Sequence, residues 1–169
     1  MLLLGNIFSL IGSCFLVYSG YVRGINKTII IQTLQSILFF LCNLVLNGIS
    51  GVITNILTIT KYILGYNEKY NNFCKVLFIS LQIILCIIFN NLGFIGWLPA
   101  IAGCIHTLIL DTKDERLLKL AILSISILWC IHDGTIGNIV GFIFNFATII
   151  SCFIYLRKLT MSATIKEAV

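Results

Sequence analysis

Seven apolar stretches, each long enough to cross a membrane, occupy almost the whole chain. A spanning helix needs about 20 residues, because the hydrocarbon core is about 30 Å thick and an α-helix rises 1.5 Å per residue. Seven spans would take about 140 residues, and the chain has 169. We therefore expect no separate soluble domain, and any function must lie within the bundle or on short loops. The stretches are 3–22, 28–47, 49–66, 74–91, 93–110, 117–133 and 135–156.

The composition agrees with a polytopic membrane protein. Apolar residues make up 59% of the chain and charged residues 10%, whereas soluble domains average about 45–50% and about 25%. These values exclude a water-soluble globule, a disordered chain and an ordinary nucleic-acid-binding domain. The predicted fold class is an all-α membrane protein, with the lipid bilayer as its first partner and no nucleic acid.

The basic residues predict how the chain is oriented. With the N-terminus outside and the C-terminus inside, all 11 Lys and Arg fall on the inner side, as expected for a multi-pass protein of the cell inner (plasma) membrane. Lys61 lies within the third stretch, and we expect its side chain to snorkel to the inner interface. The net charge of +5 then reflects topology and anionic lipid. The basic residues are Arg23, Lys27, Lys61, Lys69, Lys75, Lys113, Arg116, Lys119, Arg157, Lys158 and Lys166.

An internal repeat appears when the chain is shifted by 90 residues. Cys14 then meets Cys104, Gly51 meets Gly141 and Asn55 meets Asn145. This predicts a 3+1+3 arrangement of two parallel three-helix bundles joined by a connector, with a site near mid-depth at the repeat interface. The predicted units are a first repeat at 1–66, a connector helix at 67–92, a second repeat at 93–158 and a cytoplasmic tail at 159–169.

Two asparagines and two aromatic residues are the candidate substrate-binding residues. Asn55 and Asn145 each lie about 10 Å into a span, and Phe39 and Trp129 precede them by the same 16 residues. A side-chain amide both donates and accepts hydrogen bonds, and an aromatic face stacks on a flat or sugar-like ring. Together they suit a neutral polar molecule. Alternatively, each asparagine joins neighbouring helices by a hydrogen bond.

Three further residues near the outer half of the bundle are functional candidates. His132 and Asp133 end the sixth stretch, where they could bind substrate or exchange a proton; alternatively, water at the outer interface satisfies both. Pro99 is the single proline of the chain and removes one backbone hydrogen bond from the fifth stretch, which favours a hinge.

Metal, cofactor and enzyme chemistry are not expected. Cys104 and His106, like Cys130 and His132, are two residues apart, so on a helix they point to nearly opposite faces. No phosphate-binding loop or metalloprotease motif is present. The seven cysteines are interpreted as small buried apolar residues.

Two families resemble this chain. The segments 97–103 (WLPAIAG), 129–133 (WCIHD), 134–137 (GTIG) and 155–158 (YLRK) are similar to the YgjV family of bacterial inner-membrane proteins, over nearly the whole chain. More distantly, the 3+1+3 layout and the aromatic–asparagine pairs resemble the SWEET, PQ-loop and PnuC transporters. That resemblance implies a substrate pocket at those pairs, and rocking bundles with proline hinges.

The expected function is transport of a small neutral polar solute, such as a sugar, nucleoside or vitamin, by alternating access. The alternative is a non-transporting adaptor, assembly or lipid-binding protein. Association of the chain with copies of itself is left open by the sequence.

Overall fold

The part of the chain that the structure describes consists of helices and short connections, with no strand there. The computed structural model describes residues 2–45, 49–67, 69–90, 92–135 and 139–167. The prediction of an all-α protein is confirmed for this part of the chain. The seven helices are α1 (Leu2–Tyr21), α2 (Ile25–Val45), α3 (Ile49–Tyr66), α4 (Asn72–Phe89), α5 (Phe94–Ile109), α6 (Glu115–Thr135) and α7 (Ile139–Glu167).

The helices begin and end at residues that favour turns or caps. Gly24, between α1 and α2, has a φ of +96°, a left-handed conformation that glycine adopts without strain. Asn71 caps α4, because its side chain accepts a 3.0 Å hydrogen bond from the Cys74 amide. Helix α7 continues through 159–167, the segment assigned to a tail, because no glycine or proline interrupts it.

Among the described residues, four helices are long and apolar enough to cross a membrane. They are Leu3–Tyr21, Ile25–Val45, Glu115–Thr135 and Ile139–Leu159. Two further apolar helices, Asn72–Ile88 and Phe94–Ile109, are shorter. The described chain is therefore a membrane protein with several candidate spans.

Six helices pack in a closed circuit. Helix α1 packs against α2 and α7, α6 against α5 and α7, and α2 against α3. Helices α3 and α5 complete the circuit through side chains: Lys61 Nζ lies 3.3 Å from Thr107 Oγ1, and the Tyr62 hydroxyl lies 3.2 Å from His106 Nε2. Helix α4 packs against α5 and is not part of the circuit.

One end of the bundle, which we call the basic end, holds the α1–α2, α3–α4 and α5–α6 connections and the final turns of α7. There Lys75 and Asp111 form an ion pair of 2.8 Å between the start of α4 and the end of α5. Helices α2 and α6 also meet at this end, because Lys119 Nζ donates to Thr28 Oγ1 at 3.1 Å. Lys119 and Thr28 are both 0% exposed, so α2 and α6 are in close contact there.

Helices α2 and α6 bury equivalent positions. Each residue of 25–39 has the same degree of burial as the residue 90 positions later in 115–129. The same shift relates two interhelical contacts: Lys61 to Thr107 between α3 and α5, and Ser151 to the Val17 carbonyl, at 3.0 Å, between α7 and α1. In an apolar chain, identical residues recur by chance at any shift. Burial and interhelical contacts depend on packing instead, so they support the repeat independently of those identities.

Buried polar side chains follow the circuit. They occur on α1, α2, α3, α5, α6 and α7, whereas the described part of α4 contributes none. Polar groups inside a membrane protein almost always face the bundle interior. The set comprises Ser13, Ser19, Thr28, Gln32, Ser36, Lys61, Thr107, Lys119, Ser126, Asp133, Asn145, Thr148 and Ser151.

Candidate functional site

A cavity of about 270 Å³ lies among α3, α4, α5 and α6. It includes Asn90 and Leu92 at the α4–α5 connection, the end of the bundle opposite the basic end. Two residues singled out from the sequence, Trp129 and His132, form its α6 wall, and Pro99 contributes to its α5 wall. The volume lies slightly below the range of about 300–1,000 Å³ typical of ligand pockets, so the cavity suits a small molecule.

The cavity combines an aromatic surface with neutral hydrogen-bonding groups. The rings of Trp129 and His132 meet edge to face, with centroids 5.4 Å apart. Thr54 and Thr58 face them from α3, and Gln82 and Asn90 from α4. Hydroxyl and amide groups both donate and accept hydrogen bonds, so this lining is chemically suited to a polar ring compound.

Gly103 allows α4 to approach α5 beside the cavity. A Cβ atom built at Gly103 would lie 2.4 Å from Cδ of Gln82, which is far inside van der Waals contact. Any other residue at position 103 would therefore displace the Gln82 side chain. This close approach lets a polar side chain of α4 reach the cavity.

Pro99 lies inside α5 at the level of the cavity. Proline has no amide hydrogen, so the carbonyl of Ile95, one turn earlier, loses its usual helical donor. Helix α5 therefore has one fewer backbone hydrogen bond where it lines the cavity.

Asp133 and Asn145 join α6 to α7 behind the cavity wall. Asp133 is 4% exposed and Asn145 is 8% exposed. Asn145 Nδ2 donates to Asp133 Oδ2 at 2.9 Å and to the Gly141 carbonyl at 3.0 Å. Asp133 Oδ1 also lies 3.4 Å from Nδ1 of His132. Asp133 is thus placed to orient the imidazole of His132, which lines the cavity. Asn145 makes a hydrogen bond between two helices, as the alternative interpretation of the asparagines in the sequence expects.

Phe39 and Asn55, which correspond to Trp129 and Asn145 in the first half of the chain, are not among the residues that line the cavity. Phe39 packs against α1, where a Cβ atom built at Gly12 would lie 3.0 Å from its ring. Asn55 is half-buried on α3, next to the cavity residue Thr54. The structure thus gathers Trp129, His132 and Pro99 at one cavity with Asn145 behind it, and it places Phe39 outside the cavity lining.

Comparison with known proteins identifies the family. Residues 3–163 match the family model of Imp-YgjV, described as a bacterial inner membrane protein. The chain belongs to this family. No curated protein and no solved structure matches it. The apolar helices and the family together place this Imp-YgjV family member in the bacterial inner membrane.

A polar cluster at the basic end of this Imp-YgjV family member was not anticipated from the sequence. Lys119 Nζ donates to the Ser19 carbonyl at 2.6 Å, near the C-terminal end of α1, where helix carbonyls lack internal donors. Glu115 accepts hydrogen bonds from the Gly24 amide and, at 2.6 Å, from the Tyr155 hydroxyl. This cluster connects α1, α2, α6 and α7. The spacing of Glu115 and Lys119, one turn apart at a helix start, is the signal that could have indicated it.

The expectation that Lys61 snorkels is wrong. Its side chain is 3% exposed and lies between α3 and α5, with Nζ 6.0 Å from the centre of the Phe78 ring. The helical face that carries Lys61 packs inward, so its stem cannot reach the interface. Beside it, the Tyr70 hydroxyl donates to the Thr107 carbonyl at 2.9 Å, and burial raises the pKa of Tyr70 to about 12.

Proposed function

We propose that this inner-membrane protein moves a small polar solute across the membrane, chemically unchanged, through the cavity among α3–α6. The observation that carries the proposal is the cavity itself, which presents Trp129 and neutral hydrogen-bonding side chains among mainly apolar walls. Such a lining favours the body of a sugar, nucleoside or vitamin. Close packing of helices alone would leave few voids larger than a water molecule.

The proposed architecture is seven spans arranged as 3+1+3, with the N-terminus outside and the C-terminus inside. The first repeat is 1–66, the connector 67–92 and the second repeat 93–158. Three observations support it: the equivalent burial of 25–39 and 115–129, the equivalent contacts of α3 with α5 and α7 with α1, and the position of α4 outside the circuit.

The proposed cycle alternates access between the two ends of the bundle. The cavity includes the α4–α5 connection, whereas Lys119 and Thr28 hold α2 and α6 in close contact at the basic end. Pro99 is the proposed hinge, and the His132–Asp133 pair is the proposed substrate or proton site. Trp129 stacks on the solute and Asn145 supports that wall. Phe39 and Asn55 have the corresponding roles in the first half when the bundle rearranges.

The test uses two threonines of α3 that differ in their relation to the cavity. Thr58 lines the cavity and Thr60 is exposed outside the cavity lining; both hydroxyls donate back to the preceding turn, at 2.9 and 2.8 Å. Thr58→Phe should fill the cavity and abolish solute-induced stabilisation and proteoliposome uptake. Thr60→Phe should preserve both.

The screen would contain sugars, nucleosides, vitamins and amino acids, measured by thermal shift on detergent-purified protein. A solute at a hundredfold excess over its Kd stabilises the protein by about 2.7 kcal/mol. Asn55→Leu/Asn145→Leu should lose the response as well. Uptake that survives Thr58→Phe would contradict the proposed cavity, and absence of any response would contradict transport.

Lipid binding is a second candidate because of a separate groove. A groove of about 370 Å³ between α2 and α3 is lined mainly by apolar side chains, including Ile30 and Leu34, and ends at Tyr66 and Asn67. It is suited to an acyl chain with its polar end at the basic side. Co-purification of a stoichiometric lipid, without a response to any solute, would favour this function.

A further inference from the structure

Lys61 lies directly beyond the cavity, on the side of the basic end. On α3, Leu57 and Thr58 line the cavity and Lys61 is one turn further along the same face. On α4, Gln82 lines the cavity, and the ring of Phe78, one turn away, has its centroid 6.0 Å from the Lys61 ammonium. On α5, Ala100 lines the cavity, and Thr107, two turns away, is hydrogen-bonded to Lys61. The cavity and Lys61 therefore follow one another along the bundle axis between α3, α4 and α5. We call this space the column.

Lys61 has little to compensate its charge. An ammonium group has three donors, and the hydrogen bond described for Lys61 is a 3.3 Å contact to the Thr107 hydroxyl. That hydroxyl itself donates to the Gly103 carbonyl at 2.7 Å. Within the described ranges, the ion pairs are Lys75–Asp111 and His132–Asp133, and neither includes Lys61. A buried ammonium is costly unless an anion or strong dipoles meet it.

The other fully buried lysine shows what compensation looks like. Lys119 donates at 2.6 Å to the Ser19 carbonyl at the C-terminal end of α1, where the helix dipole is negative. It also donates to Thr28, and the Glu115 carboxylate lies one turn away on the same helix. The charge of Lys119 is thus compensated by groups of the fold. The contacts described for Lys61 are the Thr107 hydroxyl and the Phe78 ring.

We propose that the solute of this cavity carries a carboxylate, for which Lys61 is the positively charged partner. The neutral lining at Trp129, Thr58 and Gln82 recognises the polar body of the solute, and Lys61 receives its anionic group when the column opens by one helical turn. This inference rests on the proposed transport function and narrows its substrate from a small polar solute to a small organic monoanion, such as a sugar acid or a carboxylate vitamin.

Matched neutral and anionic probes test the proposal. Nicotinate is compared with nicotinamide, and glucuronate with glucose, by ligand-induced thermal shift at constant ionic strength. A charge-assisted hydrogen bond to a buried cation should give the anion of a pair about tenfold tighter binding than its neutral partner. Lys61→Gln should abolish that preference, and Lys61→Arg should retain it. Lys113→Gln, which removes an exposed lysine of the α5–α6 connection outside the column, should leave the preference intact.

The possible outcomes separate this inference from the transport proposal. Stabilisation and uptake of the neutral member, unaffected by Lys61→Gln, would overturn the assignment of Lys61 and leave transport standing. Equal thermal shifts for the neutral and anionic members of each pair in the wild-type protein would also overturn the assignment of Lys61. Absence of binding and uptake for every probe would count against both. An anion preference that Lys61→Gln removes and Lys113→Gln preserves supports the assignment of Lys61.

Discussion

Asn145 on α7 donates a 2.9 Å hydrogen bond to the carboxylate of Asp133 on α6, and both side chains are buried. A hydrogen bond to a charged group contributes about 1.5–3 kcal/mol, more than a bond between neutral groups. The Asp133–Asn145 contact therefore holds the last two helices together behind Trp129 and His132.

Replacing Asn145 by leucine should lower the free energy of unfolding by about 1.5–3 kcal/mol, because Asp133 loses a donor while remaining buried. Asp133→Asn should partly rescue Asn145→Leu, since a neutral amide needs less compensation than a carboxylate. Thermal unfolding of the two single variants and the double variant measures this coupling. Additive losses would show that the two residues act independently.

Lys119→Gln should destabilise the protein by about 1.5–3 kcal/mol, because the Ser19 carbonyl and the Thr28 hydroxyl lose a charged donor. Lys113→Gln is the control: Lys113 is exposed in the α5–α6 connection, where a substitution should change stability by less than about 0.5 kcal/mol. Thermal unfolding in detergent compares the two variants. Equal effects would mean that the buried contacts of Lys119 do not stabilise the basic end.

Glu115 and Tyr155 should be energetically coupled. The Tyr155 hydroxyl donates to Glu115 at 2.6 Å, and the same carboxylate also accepts from Gly24. Glu115→Gln, Tyr155→Phe and the double variant form a cycle, for which we expect a coupling energy of about 0.5–3 kcal/mol. A coupling energy near zero would be inconsistent with the contact. Tyr18→Phe, on exposed surface of α1, provides a neutral comparison.

Tyr70 should make stability depend on alkaline pH. Burial raises its pKa from 10.0 to about 12, so the folded state holds the phenol proton more tightly than the unfolded state. This contribution is complete below pH 10 and is lost as the pH rises towards 12. Tyr70→Phe should remove that part of the pH dependence. The measurement is the difference in Tm between wild type and Tyr70→Phe from pH 8 to 11.5, which should shrink at the alkaline end; a constant difference would contradict the prediction.

Much of the helical architecture could be predicted from the sequence. The apolar stretches and the charges between them located α1 to α6 and the start of α7 to within a few residues, because a bilayer allows few alternatives to helices of fixed length. Helix α7 extends through 159–167, beyond the last apolar stretch, because nothing in that segment breaks a helix. Trp129, His132 and Pro99 were identified because unusual residue types stand out in an apolar chain.

Pairings across the bundle could not be predicted. Lys61 and Lys119 look equally compatible with the inner interface in the sequence, and packing of α3 against α5 and of α6 against α1 decides that both are buried. Likewise, Asn145 was recognised as important, but its bond to Asp133 depends on the relative rotation of α6 and α7. Such rotations are set by many small contacts rather than by a local motif.

The bond between Lys119 and the Ser19 carbonyl joins residues 100 positions apart, which has a consequence for biosynthesis. At about 5–20 residues per second, the ribosome needs several seconds between completing α1 and presenting α6 to the membrane. During that interval the carbonyls at the end of α1 must be satisfied by water, lipid headgroups or the insertion machinery. The first helix is therefore synthesised first but reaches its final position late, when its partner from the second half arrives.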